Sequence, residues 1–559
     1  MTAARHGTAF GVVRALRAGG VERVFFVTGG DQPLWIALKE EGMELSLARS
    51  EASAVAMADG YSRTTGRPSL VYGQWGPGAS NVAAALADAY WSRSPVVALT
   101  TSVATTGEGR FAYQELDQLP LFASVTKWNR RVPSLARAAE FASIAVQASL
   151  SGCPGPVHLD IPKDWLASEE VPAAGPPRSP ASRPAPSTEA VDALVAALHA
   201  AGRPVLLAGA GVLFAAASEP LIQVAEAWGL PVVTSMGGKG AIGESHANAV
   251  GVTGRYSRKV ANDVVAQADL VVAVGTDLGG MVTDDFRLPP SDAAVVQVDV
   301  DASNLGVSHA GTVPIMSDAA ELLSRLASAA PADAASGERA DWLASVRSEV
   351  STWREELRRA EAEAGDGVVG HEAVLARLRK VAHPADLLVA DTGFTGAWAG
   401  ALWMVPEPGR YFLRAAGTLG WAFPAALGAQ AGLPERRAIC LIGDGGMGYN
   451  LGDLETARRL ELPVVTVVLN NDALAYEYLV QKVLYDTVVP EVNDFAEIDY
   501  AAIARAAGVD GYGAASVDEL DYALERAFER RRPALIDVRV SSERPAPTTT
   551  FESKLDRVL

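Results

Sequence analysis

The sequence predicts three consecutive α/β domains, each a doubly wound parallel sheet covered by helices. Three observations carry this prediction. Short apolar runs alternate with helical segments along most of the chain, the pattern of parallel strands joined by helical crossovers. The length of 559 residues suits three or four domains at roughly 100–200 residues each. Two aperiodic stretches divide the chain: a Pro/Ala/Ser run at 171–187, read as a linker, and an Ala/Ser/Asp-rich piece at 328–338. The predicted domains are therefore 1–170, 188–330 and 365–540.

In the first domain Val24–Val27 reads as a buried strand ending in Gly29-Gly30, Glu51–Thr64 as an Ala-rich helix, and Ser69–Tyr72 as a strand before Gly76-Pro77-Gly78. Asn81–Trp91 reads as a helix and Pro95–Thr100 as a strand. Strands are expected in the second domain at Val205–Ala208, Val232–Thr234, Leu270–Val274 and Ala294–Val298. In the third they are expected at Leu387–Ala390, Ala438–Ile442, Val464–Leu469 and Ala534–Val538. The tail Ser541–Leu559 reads as irregular.

Composition excludes several classes. The net charge is −18, and a strongly acidic surface repels phosphate backbones, so nucleic acid is not an expected partner. Only Cys153 and Cys440 occur, which gives neither a disulfide framework nor a paired-cysteine metal site and suits a reducing cytoplasm. No signal-peptide core and no membrane-length apolar run is visible. The seven histidines leave the chain empty between His6 and His158 and after His383.

The most informative segment is Ile442–Asn471. A buried strand ends at Gly443-Asp444-Gly445-Gly446, a helix follows at about Leu451–Leu460, and a second apolar strand ends at Asn470-Asn471. In an open α/β sheet, ligands bind at the carboxyl ends of strands. Glycines there let a diphosphate approach the backbone, and Asp444 and Asn471 offer hard oxygen ligands for Mg²⁺. A turn aspartate and a helix-capping asparagine are the plainer alternative.

With both clusters present, the segment resembles the thiamine-diphosphate motif of the acetolactate synthase and pyruvate decarboxylase group of enzymes. The resemblance covers nearly the whole chain. It implies a pyrimidine-binding, a middle and a diphosphate-binding domain. It also implies Mg²⁺ held by Asp444, Asn471 and the carbonyl of Ala473. Arg49-Ser50-Glu51-Ala52 with Ala58-Asp59-Gly60-Tyr61 resembles the family's catalytic helix, and implies that Glu51 hydrogen-bonds N1′ of the aminopyrimidine and promotes deprotonation of the thiazolium carbon. A carboxylate favoured at a helix N-terminus is the alternative there. Gly417-Thr418-Leu419-Gly420 resembles the segment that bends the cofactor: Leu419 would lie beneath it and the Gly417 carbonyl would accept from its amino group. Thr392, with Asp391 and Gly393, would add diphosphate contacts.

Gln74 precedes a turn similar to the family's SGPGxxN, with Trp75 in place of the serine, and Gln114 lies in Tyr113-Gln114-Glu115, similar to AFQExD. Both are candidates for orienting substrate, or ordinary loop residues. Thr105-Thr106 stand where aldehyde-releasing relatives carry paired histidines, and no histidine lies near any of these motifs in sequence. Proton transfer is therefore expected from carboxylates, glutamine, water or the cofactor amine. Asp31 and Glu477 resemble carboxylates of pyruvate decarboxylases, with surface carboxylates as the alternative. The middle domain resembles one that binds FAD in some relatives, but Gly275-Thr276-Asp277 replaces the usual GxR, so FAD is not expected.

The resemblance implies decarboxylation of a 2-keto acid followed by carboligation to a second carbonyl. The alternatives are an aldehyde-releasing decarboxylase and a non-catalytic family member. Glu51 and Asp444 are separated by a whole domain, so the cofactor is expected between two chains of a homodimer or homotetramer.

Overall fold

The computed structural model describes residues 6–172, 178–179, 181–331, 337–362 and 369–548. Parts of the 171–187 linker, the 328–338 boundary and the 541–559 tail lie outside these residues. Three six-stranded sheets form, and every pairing in them is parallel.

The first sheet contains β1 (Arg23–Phe26), β2 (Glu44–Leu47), β3 (Ser69–Gly73), β4 (Val96–Ser102), β5 (Trp128–Arg131) and β6 (Val157–Pro162), in the order β2-β1-β3-β4-β6-β5. The second contains β7 (Pro204–Ala208), β8 (Val232–Thr234), β9 (Ala249–Val252), β10 (Leu270–Val274), β11 (Ala294–Asp299) and β12 (Val313–Met316), ordered β12-β11-β10-β7-β8-β9. The third contains β13 (Leu387–Ala390), β14 (Phe412–Arg414), β15 (Ala438–Gly443), β16 (Val465–Asn470), β17 (Asp510–Ala514) and β18 (Ala534–Arg539), ordered β14-β13-β15-β16-β18-β17. The first and third sheets thus share one topology. The middle one has the doubly wound order of dinucleotide-binding folds.

Central strands such as β3, β4 and β15 are buried along nearly their whole length, as their continuous apolar runs require when helices cover both faces. The edge strands β5 and β17 carry polar or glycine residues and gave no apolar signal, and the edge strand β12 is a short VPIM run that is mostly exposed. The helix after Gly76 begins at Pro77, earlier than the expected Asn81, because proline is pre-set for a first helical turn. A short helix Asp444–Gly448 directly follows β15, and the later helix is Asp453–Arg459.

The first and third domains pack through two glycines. Gly60 of the helix Glu51–Thr65 faces the Ala425 carbonyl, and Gly428 of the helix Ala422–Gly432 faces the Met57 carbonyl. A Cβ would lie 2.1 Å and 1.9 Å from those oxygens, so only glycine permits the crossing.

The middle and third domains meet at the helix Gly393–Leu402. Its last carbonyls are held by cations: Gly400 by Lys239 Nζ at 3.4 Å, Ala401 by Arg258 Nε at 2.7 Å, and Leu402 by Arg379 at 2.6 Å. Lys239 and Arg258 flank Glu244 at 3.1 Å and 2.8 Å, and Glu244 accepts from the Val405 amide at 2.7 Å. All three side chains are buried. The cluster satisfies a helix C-terminus in a place water does not reach.

Candidate active site

The carboxyl ends of β13, β15 and β16 open onto a cavity of about 280 Å³. Thr392, Gly417, Leu419, Gly443, Asp444, Gly445, Gly446, Asn471, Ala473 and Glu477 all line it, so every expected residue of the third domain converges on one pocket. The helix Gly393–Leu402 points its N-terminus at it, and Thr392 is the residue before its first turn. This end of a helix favours an anion.

Asp444 is buried, and burial pushes its carboxyl up to about 6; backbone amides of Gly445 and Ala473 pull it down and the Asp472 charge adds to the rise. Among the described residues no cation pairs with it. Asp472 is instead bridged by Arg539. Asn471 Oδ1 accepts from the Ala473 amide at 3.2 Å, which folds the turn so that side chain and carbonyl come from adjacent positions. An uncompensated buried carboxylate beside an amide oxygen and a carbonyl fits a hard dication.

Asp391 lines the cavity beside Thr392. Its carboxylate is buried and accepts from the amides of Gly420 and Ala422 at 2.9 Å and 3.1 Å, so it shapes the turn beneath the pocket. A Cβ on Gly446 would lie 2.3 Å from Asp391 Oδ2, which is why glycine stands there. Burial raises the Asp391 carboxyl to about 7.

One correction concerns histidine. Although no histidine is near the motifs in sequence, His371 lines the cavity wall, stacked on Trp398 at 4.7 Å. Burial lowers it to about 3, so the ring is neutral. With Tyr256, Phe394 and Tyr476 it makes this wall aromatic.

Glu51, Gln74, Gln114 and Asp31 form a separate cluster at the carboxyl ends of β1 and β3. Ser50 caps the helix that Glu51 starts, and Glu51 Oε2 accepts from Asn81 Nδ2 at 3.0 Å. Gln74 donates to Gln114 at 3.1 Å and accepts from the Gly30 amide at 3.2 Å. Glu51 and Gln74 both flank Gly78. Asp31 is buried; one oxygen accepts from Thr101 at 2.7 Å and from the Tyr72 hydroxyl. None of these four lines the Asp444 cavity of the same chain. The chain therefore carries two clusters of candidate residues, one in its first domain and one in its third. Exposed aromatic residues adjoin both clusters: Tyr113, beside Gln114 and bonded to Trp75, at the first, and Tyr449 and Phe495, against Gly420 and Gly445, at the second.

A larger cavity of about 950 Å³ lies at the carboxyl edge of the middle sheet, between all three domains. Its glycine turns are closed by the backbone: the Gly211 amide donates to the Gly275 carbonyl at 3.0 Å. No described helix is long and apolar enough to cross a membrane.

Three family models match in the order of the sheets. They are the N-terminal TPP binding domain of thiamine pyrophosphate enzymes over residues 7–121, the central domain over 191–326, and the C-terminal TPP binding domain over 391–538. The chain is 30% identical to a probable acetolactate synthase large subunit of Methanocaldococcus jannaschii, across 98% of this chain and 94% of that protein. It is 31% identical to the acetolactate synthase isozyme 2 large subunit of Escherichia coli, across 95% and 94%. It is 30% identical to a sulfoacetaldehyde acetyltransferase of Castellaniella defragrans, across 95% and 92%. Matched domain by domain and similar end to end to these proteins, the chain belongs to the thiamine-diphosphate-dependent enzymes of the acetolactate synthase type.

Proposed function

We propose that the protein decarboxylates a 2-keto acid and joins the remaining fragment to a second carbonyl compound, using thiamine diphosphate and Mg²⁺ at a site shared by two chains. The observation that carries this reading is the division of the site. Glu51 does not line the cavity that Asp444 lines in the same chain, although the helix it starts is joined to the segment after Asp444 through Ser53 and Asn450 at 3.1 Å. A two-fold pairing completes both sites and covers the apolar residues at their edges. The proposed domain limits remain 1–170, 188–330 and 365–540.

Asp444, Asn471 and the Ala473 carbonyl hold the metal, and Thr392 with Gly443, Gly445 and Gly446 receives the diphosphate. Bound thiamine diphosphate supplies an acidic carbon and an electron sink in its thiazolium ring. Glu51 of the facing chain would stand opposite the pyrimidine, fixed in direction by Asn81. The Gly417 carbonyl orients the cofactor amine, and Leu419 supports the ring edge. Gln74 and Gln114 line the approach for substrate. Glu477, at the first turn of the helix Ala475–Tyr485, places a carboxyl in the same pocket for proton transfer.

Glu477 also favours a second reading, release of an aldehyde after protonation. Product analysis separates the two: carboligation gives a condensed hydroxy-ketone from pyruvate alone or with an added aldehyde, and the second reading gives free acetaldehyde. Absence of CO₂ from any 2-keto acid in the presence of cofactor and metal would sink both and leave a non-catalytic role. Acidic composition and sparse cysteine use support a cytoplasmic protein.

A further inference from the structure

The turn beneath the cavity is held from a second side by a residue of the first domain. Asp88 lies near the end of the helix Pro77–Trp91 and is 3% exposed. Its Oδ1 accepts from the amide of Ala416, and its Oδ2 accepts from the amide of Thr418 at 3.0 Å. Gly417 stands between those two amides. Asp391 takes the next two alternate amides, Gly420 and Ala422. Leu419 therefore lies between two carboxylate anchors from two domains. Two residues before Ala416, Arg63 of the Glu51 helix donates to the Arg414 carbonyl at 2.9 Å.

Asn450 donates to the Gly420 carbonyl at 2.6 Å, but among the described residues no side chain other than Asp88 bonds the backbone of 416–419. Gly417 and Thr418 are exposed, and a Cβ on Gly417 would meet no atom within 4 Å. No described group donates to the Gly417 carbonyl, which leaves it open to a ligand amine. A buried carboxylate persists only when nearby charge and hydrogen bonds compensate it; Arg414 supplies nearby positive charge, and the hydrogen bonds are the turn itself.

We propose that Asp88 is a positioning residue for the cofactor: through the amides of Ala416 and Thr418 it sets the direction of the Gly417 carbonyl and the height of Leu419. The proposal rests on the reading of Gly417 and Leu419 as the cofactor platform. Asp88 serves the pyrimidine and thiazolium end and does nothing for the diphosphate end, which other turns hold.

That division provides the test. Asp88→Asn keeps the shape but turns an N–H toward one of the two amides. Calorimetry on the full-length dimer in Mg²⁺ buffer compares thiamine diphosphate with inorganic pyrophosphate. The variant is expected to bind thiamine diphosphate about tenfold more weakly, or to slow exchange of its C2 proton by about tenfold, while pyrophosphate affinity stays at the wild-type value. Asp88→Glu, which keeps the charge but displaces it by a methylene, is expected to show the same selective loss and covers a failure of the first variant to fold. If folded variants bind both ligands as wild type does and exchange at the wild-type rate, or lose both ligands equally, the proposal is overturned. Wild-type protein that bound neither ligand would instead refute the cofactor reading of the pocket.

Discussion

Glu51 and Asn81 are joined by a 3.0 Å hydrogen bond from the asparagine amide to the carboxylate. Glu51 begins one helix and Asn81 lies in the first turns of the next, so the bond locks together two motifs thirty residues apart. It leaves the carboxylate aimed and rigid. Glu51→Gln is expected to retain the fold and cofactor binding but slow C2 proton exchange by orders of magnitude. Hydrogen–deuterium exchange of bound cofactor, followed by NMR, measures this, and an unchanged rate would refute the role.

Asp444→Ala is expected to abolish most Mg²⁺-dependent affinity for thiamine diphosphate, because it removes the one charged ligand of the proposed metal set. Chelation of the wild-type protein should do the same reversibly. Calorimetric binding that survives either treatment would rule out this metal site.

Co-expression of Glu51→Gln with Asp444→Ala chains should restore part of the activity that each lacks alone. In a mixed dimer one site contains both intact residues. Activity is assayed on heterodimers purified through two tags. If they are no more active than either parent, the shared site is wrong.

Asp59 gives a pH prediction separate from the cavity. It accepts from Trp421 Nε1 at 2.9 Å, and its other oxygen has no partner. Burial raises it from 3.8 to about 6, against the pull of Arg63. The folded state thus binds this proton more tightly than the unfolded state. Its stability contribution is intact below about pH 4 and is lost as pH rises to about 6, on the order of 2–3 kcal/mol. Asp59→Asn should flatten that part of the profile. Denaturant midpoints across a pH series would show it, and a variant with the wild-type slope would refute it.

The protein should purify without flavin. Asp277 stands where relatives place an arginine, and the Gly211 amide is already engaged by Gly275. A visible flavin spectrum, or a thermal shift on adding FAD, would contradict this.

Much of the third-domain pocket was legible because its residues sit in two short runs at strand ends, where glycine and oxygen ligands stand out against apolar neighbours. Asp444 and Asn471 stood out from the residues alone, whereas Ala473 followed only from the family resemblance. Asp88 was not legible. It lies 330 residues from Thr418, and on its own helix it looks like any aspartate near a C-terminus. His371 was missed for a related reason: packing of one helix start against Trp398 brings it in, and no local pattern marks that. The edge strands β5 and β17 escaped because partners on one side only leave little need for apolar residues.

The cations at the end of the Gly393–Leu402 helix bear on how this chain can be taken apart. Cutting between the middle and third domains would strand Lys239, Glu244 and Arg258 on one fragment and the carbonyls of Gly400 and Ala401 on the other. Neither fragment could satisfy what it kept without flooding its interior with water. The three units read as separate modules along the sequence, yet this junction makes the second and third one indivisible body. Recombination between relatives should therefore succeed when these two are exchanged together and fail when they are exchanged singly.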